Sequence, residues 1–190
     1  MTYLTLIAAW SVYFFLHSTL AADAIKNWAY KNLHISKRNY RLVYSIISTG
    51  TLAAIIYLII QTPAPLLFKP SWPFAIIAVL CILSGIWIFN AAFRQYRFEA
   101  FIGLAEENST ELKTNGILSR VRHPLYTATI LWSIAYLLLI PTTTSLTSVI
   151  CIFAYLPIGI GLEERKLIKQ FGEQYLNYRK RVPALIPRLK

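Results

Sequence analysis

The stretch Arg122-His123-Pro124-Leu125-Tyr126 begins the part of the sequence that decides the fold, and Glu163-Glu164 ends it. Between His123 and Glu163 the chain contains no Asp, Glu, Lys or Arg, and Pro141 with Thr142–Ser145 interrupts this uncharged run near its middle. A long apolar run with one interruption predicts two antiparallel membrane helices joined by a tight turn, about Leu125–Ile140 and Ser145–Leu162.

A helical hairpin returns its two ends to the same side of the membrane. His123 and the Glu163-Glu164 pair are therefore expected to lie close together at one depth, although some forty positions separate them. Ionisable groups gathered at the edge of a bilayer mark a candidate functional site.

The composition is that of an integral membrane protein. The 190 residues are 56% hydrophobic and 14% charged, and the mean hydropathy is +0.51, whereas about 25% of a soluble domain is charged. Cys81 and Cys151 lie in apolar runs, which favours small buried hydrophobes over a disulfide or metal ligands. No metal is expected.

Three further apolar runs precede the hairpin: Met1–Ala22, Tyr40–Ile60 and Pro73–Phe93. Together they predict an all-α, polytopic helix bundle of about five spans, forming one domain over residues 1–190. The first run has no basic residues before it, which favours a retained helix over a cleaved signal peptide. His17 lies inside it and has two open interpretations, a hydrogen bond to a neighbouring helix or a role in substrate or proton handling.

Two polar segments complete the chain. Phe98 and Phe101 in the connector Arg94–Arg122 predict that the first half of this connector lies on the membrane surface. From Glu164 to Val182, apolar residues recur at helical spacing and predict an amphipathic C-terminal helix, which could also cover the polar cluster.

The basic residues are distributed unevenly among the loops. The formal net charge is +11, and with five spans eighteen of the nineteen Lys and Arg residues fall on one side, leaving Lys69 on the other. The positive-inside rule then predicts a cytoplasmic C-terminus and an external N-terminus. We expect the membrane to be a bacterial inner membrane. The basic excess is explained by anionic membrane lipids, so no nucleic-acid partner is expected.

The polar cluster has complementary charges for a ligand. Pro124 suits the first position of a helix, where the N–H groups of Leu125, Tyr126 and Thr127 would be unpaired and would attract an anion. The two glutamates would attract a cation. S-adenosylmethionine carries a carboxylate, an ammonium and a sulfonium, and this arrangement permits that ligand without singling it out.

Two motifs carry a more specific resemblance. The first is Leu112-x-Thr114-x-Gly116-Ile117 followed by Val121-Arg122-His123-Pro124-x-Tyr126, and the second is Glu163-Glu164-x-x-Leu167-x-x-x-Phe171-Gly172-x-x-Tyr175-x-x-Tyr178. In this order around a hairpin they resemble the isoprenylcysteine carboxyl methyltransferase family, which belongs to a wider group with phospholipid N-methyltransferases, methanethiol S-methyltransferase and NnrU-like membrane proteins.

The resemblance implies a membrane-embedded methyltransferase whose S-adenosylmethionine site lies in residues 94–190. The implied cofactor-binding residues are Gly116, His123, Pro124, Leu125, Tyr126, Glu163, Glu164 and Tyr175. Arg122 and Glu164 are the expected catalytic residues. Arg122 has two open interpretations, holding an anionic acceptor or binding phosphate headgroups of the membrane. Many relatives have Gly where this chain has Ala128, and the extra methyl group narrows the space in which the cofactor could approach the helix.

The acceptor implied is a small or lipid-like thiol, carboxylate or amine entering from the bilayer. A second hypothesis is a non-catalytic NnrU-like membrane protein that keeps the fold. A metalloprotease is disfavoured because there is no His-Glu-x-x-His and the three histidines are scattered. A Rossmann nucleotide site is disfavoured because no Gly-x-Gly-x-x-Gly occurs.

Overall fold

The chain folds into a bundle of α-helices, as predicted. A computed structural model describes residues 2–95 and 111–187, in which no strand is found and a 3-10 turn spans Gly116–Ser119. The helices are α1 (Tyr3–Ala21), α2 (Asp23–Asn32), α3 (Lys37–Gln61), α4 (Trp72–Phe93), α5 (Pro124–Leu139), α6 (Thr143–Phe171) and α7 (Glu173–Arg181). The surface interpretation of Phe98 and Phe101 concerns residues outside the described ranges.

Four of these helices, α1, α3, α4 and α6, are long and apolar enough to cross a membrane. The fifth predicted span corresponds to α5, which is apolar but has only 16 residues, or about 24 Å of helix against a hydrocarbon core of about 30 Å. Helix α5 nevertheless runs the length of the bundle, because it leaves the polar cluster at His123 and reaches the opposite end before Pro141.

Backbone and hydroxyl contacts fix that opposite end. The Tyr3 hydroxyl donates to the carbonyl of Pro63 at 3.0 Å, the Leu67 N–H donates to the carbonyl of Pro141 at 2.8 Å, and the Thr143 N–H donates to that of Pro65 at 3.1 Å. The start of α1, the loop after α3 and the hairpin turn are thereby joined. The other end of the bundle gathers the ends of α1 and α4, the starts of α3 and α5, and α7.

Close packing joins α4 to α5. A Cβ placed on Gly85 would lie 2.3 Å from the Trp132 indole nitrogen, so a glycine at this position lets the indole ring lie against the α4 backbone. Small residues are commonly used in this way where membrane helices approach closely. On the other side of the bundle, Leu6 and Trp10 of α1 pack with Ile55 of α3.

The C-terminal tail is helical, but it is divided differently from the single predicted stripe. Helix α6 continues without a break past the membrane run to Phe171. Gly172 then has φ 54° and ψ −129°, a conformation available to glycine at little cost, and α7 starts immediately afterwards in a new direction. The apolar face of α7 is turned inwards: Tyr175 and Tyr178 are buried, and the Tyr178 hydroxyl donates to the carbonyl of Leu118 at 2.6 Å.

Candidate functional site

An ion pair connects the two ends of the helical hairpin. Arg122 lies two residues before the start of α5, and Glu164 lies in the last third of α6, forty-two residues later. The Arg122 Nη2 and Nε atoms lie 2.6 and 3.1 Å from Glu164 Oε1, and Arg179 Nε of α7 lies 3.2 Å from Glu164 Oε2. Both oxygens of the buried carboxylate are therefore occupied by cations of the chain itself.

Arg122 also holds the tail in place. Its Nη1 atom donates to the backbone carbonyls of Arg179, at 3.1 Å, and Val182. Each guanidinium nitrogen thus donates to a group of this chain. An anionic acceptor, the ligand suggested for Arg122 from the sequence, would have to compete with these bonds.

His123 lies between the two glutamates. Its Nε2 atom is 3.2 Å from Glu164 Oε1 and its Nδ1 atom is 3.5 Å from Glu163 Oε2. The ring is buried, and among the residues that the structure describes Nδ1 has no partner with hydrogen-bond geometry. The ring also meets Tyr126 edge-to-face, with centroids 5.7 Å apart. Its position is therefore fixed from two sides while one polar atom remains unsatisfied.

The segment after α7 pairs with the residues that start α5. The N–H groups of Arg122 and His123 donate to the carbonyls of Pro183 and Ala184 at 2.9 and 3.0 Å. The expectation of a free N–H at Thr127 is wrong, because His123 caps the helix and its carbonyl accepts that N–H at 3.1 Å. Leu125 and Tyr126 occupy the second and third helical positions, whose N–H groups a helix leaves without an internal partner.

Tyr175 is buried next to the ion pair of Arg122 and Glu164. The residue is 1% exposed, and its hydroxyl is another buried polar atom with no hydrogen-bond partner in the described part of the chain. Burial, followed by the negative charge of Glu164, raises the pKa of the Tyr175 phenol to about 12. At neutral pH the phenol is therefore protonated and able to donate.

A cavity of about 700 Å³ adjoins this cluster. We call it the basic cavity. Tyr126 and Glu163 line it from the hairpin, and His17 and Tyr44 line it from α1 and α3. The Glu163 side chain is 48% exposed, in contrast to the 9% of Glu164. Of the two adjacent carboxylates, Glu163 is thus the one accessible to a ligand in the cavity.

The residues proposed from sequence fall into three groups. One is the ion-pair cluster with Arg122, His123, Glu164 and Tyr175, and the second is the cavity wall with Tyr126 and Glu163. The third group, Gly116, Pro124 and Leu125, lies apart from both. Gly116 has φ 60° in the turn before the cluster, where an added Cβ would lie 2.3 Å from the Gln95 side chain. Pro124 is buried at the first position of α5, and Leu125 packs against Ala92, Ile117, Leu118 and Val121.

The contribution of α1–α3 to the cavity was not found from the sequence. The His17 ring nitrogens lie 2.9 and 3.1 Å from the Tyr44 hydroxyl, which agrees with the hydrogen-bonded interpretation of His17, yet the same ring faces the cavity. Ser18 and Tyr155 form a second hydroxyl pair at 2.6 Å. Isolated polar residues in apolar helices were the available signal. In residues 2–95 and 111–187 no three His, Cys, Asp or Glu side chains are grouped to hold a metal ion.

Comparison with known proteins assigns the chain to a family. The chain matches the NnrU protein family over residues 5–185 and belongs to that family. No solved structure gives a significant match.

Among named relatives, the methanethiol S-methyltransferase 2 of Bradyrhizobium diazoefficiens is 28% identical over 94% of this chain and 71% of its own length. The protein-S-isoprenylcysteine O-methyltransferase of Xenopus laevis is 27% identical over 95% of this chain and 62% of its own length. A methanethiol S-methyltransferase of Pseudomonas deceptionensis is 39% identical over 37% of this chain and 26% of its own length. These relatives confirm the resemblance drawn from the two motifs and the assignment to a group of membrane methyltransferases.

Proposed function

We propose that this chain is a membrane-embedded methyltransferase that transfers a methyl group from S-adenosylmethionine to a small or lipid-like acceptor. The observation that carries the proposal is the network of Arg122, His123 and Glu164, which joins both sequence motifs beside a cavity lined by Glu163. The named relatives are methyltransferases, which favours this proposal over a non-catalytic member that keeps the fold.

The residues present fit S-adenosylmethionine. Glu163 offers a half-exposed carboxylate for the ammonium group, and Tyr126, which lines the same cavity, has an N–H group at the helix start that suits a carboxylate. The His123 ring is buried behind the Glu163 carboxylate, with Nδ1 3.5 Å from Glu163 Oε2, so a polar side chain supports the wall of the cavity that Glu163 forms. The cavity volume lies within the range of about 300–1,000 Å³ that is usual for ligand sites.

The cofactor would supply an electrophilic methyl group on a sulfonium. The task of the protein is then to orient the two reactants and exclude water, which provide most of the rate in an in-line displacement. Arg122 and Glu164 contribute by fixing α7 and the following segment over the hairpin, and His123 contributes mainly by position. A thiolate or carboxylate acceptor needs no general base, whereas an amine must first lose a proton.

We assign the cofactor to residues 94–190 and the cytoplasmic side of the membrane to the end of the bundle that contains the cluster. The distribution of basic residues supports this orientation, because eighteen of nineteen fall in the loops and tail on that side. The exposed Glu163 would then face the compartment that holds the cofactor. A tail reporter active only outside the cytoplasm would contradict it.

Cofactor binding by purified protein tests the proposal directly. Isothermal titration calorimetry in detergent should show binding of S-adenosylmethionine or of its demethylated product. Incubation with S-adenosylmethionine that carries a labelled methyl group should label a component of membrane extracts. Glu163→Gln should weaken cofactor binding by roughly 1.5–3 kcal/mol, the scale of a hydrogen bond to a charged group. Glu173→Gln is the matched control, because Glu173 is exposed in α7.

Failure of the parent protein to bind either compound would refute the function. Equal affinity in the parent and Glu163→Gln would remove Glu163 from the site. Binding without methyl transfer to any extract component would favour the non-catalytic alternative.

A further inference from the structure

Glu163 has a possible ion-pair partner in its own helix. Lys166 lies three residues after it in α6, and both side chains line the basic cavity. No other ionisable residue stands three or four positions from Glu163. A glutamate and a lysine at this spacing lie on one face of a helix and attract each other, most favourably when the glutamate comes first. Lys166 is therefore well placed to occupy the carboxylate that we assign to the cofactor.

Lys166 pairs with a different helix instead. Its Nζ atom lies 2.9 Å from Oδ1 of Asp23, the first residue of α2. Glu163 Oε2 lies 3.5 Å from His123 Nδ1, and no ion pair joins Glu163 to Lys166 in the part of the chain that the structure describes. The Asp23 carboxylate thus holds the ammonium group at α2 rather than at Glu163.

The contact between Asp23 and Lys166 contributes little to the stability of the fold. The two side chains are 48% and 45% exposed, and ion pairs that are this accessible to water stabilise a protein only weakly. The contact still decides where the lysine lies, because Asp23 and Glu163 compete for one ammonium group. Asp23 Oδ1 also lies 3.9 Å from Lys26 Nζ, so it faces two lysines of the basic cavity.

We propose that Asp23 is a positioning residue, which binds Lys166 and thereby keeps the Glu163 carboxylate open to the ammonium group of the cofactor. The inference rests on the proposed function and deepens it, because it explains how one carboxylate stays available in a cavity lined by five basic residues. These are Lys26, Lys37, Arg38, Arg41 and Lys166. Without the Asp23 charge, Lys166 should turn to Glu163 and occupy it.

Cross-linking with a carbodiimide identifies the partner of Lys166 without any ligand. The reagent activates a carboxylate, a lysine in contact with it forms an amide, and the carbodiimide takes up the lost water as a urea. Mass spectrometry should find Lys166 joined to Asp23 in the parent and to Glu163 in Asp23→Asn. Glu163→Gln in the Asp23→Asn protein should abolish the second product. An equal yield of the product joining Lys166 to Glu163 in the parent and in Asp23→Asn would overturn the proposal.

Titration with S-adenosylmethionine measures the consequence for the site. An ion pair at this helical spacing is worth a factor of about two in an equilibrium constant, so a ligand that must displace it should bind about threefold more weakly. Asp23→Asn should show this loss by calorimetry. Asp23→Asn/Lys166→Gln should recover the affinity of the parent, because the competing ammonium group is gone. A merely structural role of Asp23 predicts no recovery, and that result would refute the positioning role.

Asp23→Asn/Lys26→Gln is the matched control. It removes the same charge from the same cavity, and Lys26 also faces Asp23, but it leaves Lys166 in place. Its affinity should stay as low as that of Asp23→Asn. Equal recovery in both double variants would assign the effect to the overall charge of the cavity and overturn the positioning role.

The two measurements separate this inference from the proposed function. Failure of the parent to bind S-adenosylmethionine would refute the proposed function, and the cross-links would still decide whether Asp23 holds Lys166 away from Glu163. Binding by the parent without a change of cross-link in Asp23→Asn would refute the role of Asp23 and leave the proposed function.

Discussion

Replacing Glu164 by Gln removes one negative charge from the centre of the ion-pair cluster while keeping the shape of the side chain. Glu164 and Arg122 are 9% and 10% exposed, and breaking a buried pair of this kind costs about 3–5 kcal/mol. Two features reduce the cost here. Arg179 is 49% exposed and can return to water, and the Gln oxygen can still accept one bond from Arg122. We therefore expect a loss of about 2–3 kcal/mol.

For a chain of this length each 1 kcal/mol lowers the melting temperature by about 2–4 °C, so Glu164→Gln should melt about 4–12 °C lower in detergent. A double-mutant cycle isolates the contact: the loss in Arg122→Gln/Glu164→Gln should be smaller than the sum of the two single losses by about 1–2 kcal/mol. Glu173→Gln, on the exposed side of α7, should change the stability by less than about 0.5 kcal/mol. A Glu164→Gln protein as stable as the parent would refute the reasoning.

Three further changes test other parts of the structure. Gly85→Ala should lower the melting temperature by several degrees and more than Gly50→Ala, because its Cβ would meet the Trp132 ring at 2.3 Å whereas no atom lies within 4 Å of a Cβ at Gly50. Tyr178→Phe should cost about 1–2 kcal/mol by leaving the Leu118 carbonyl without its 2.6 Å donor, and a melting curve unchanged from the parent would contradict that. Burial lowers the pKa of Lys26 from 10.5 to about 8, so between these pH values the folded state binds fewer protons at Lys26 than the unfolded chain does. The free energy of unfolding should therefore rise with pH across this window, and Lys26→Met should reduce the rise in melting temperature measured from pH 8 to 10.

The helical hairpin could be predicted from the sequence because its signal is long and one-dimensional. Forty residues without a charge, interrupted at Pro141, permit few other structures in a membrane, and the return of the chain brings residue 123 to residue 164 by geometry alone. The length of α5 was predicted equally well, because about Leu125–Ile140 was expected and Pro124–Leu139 is observed. The contacts that end the helix could not be predicted. Its C-terminal end is set by Pro141 and by the bonds of the turn to Pro65 and Leu67, and these involve backbone groups that any sequence carries.

The different roles of Glu163 and Glu164 could not be read from their order in the chain. Adjacent helical residues point about 100° apart, and the rotation of α6 about its axis is set by packing over its whole length. Because of that rotation, the Glu164 side chain contacts Arg122 and Arg179, and the Glu163 side chain lines the cavity. The division resolves the electrostatic difficulty of two neighbouring carboxylates at the end of an apolar helix. Glu164 is paired with cations of the chain and stabilises the position of the C-terminal segment, and under the proposed function the half-exposed Glu163 is the carboxylate left for a ligand.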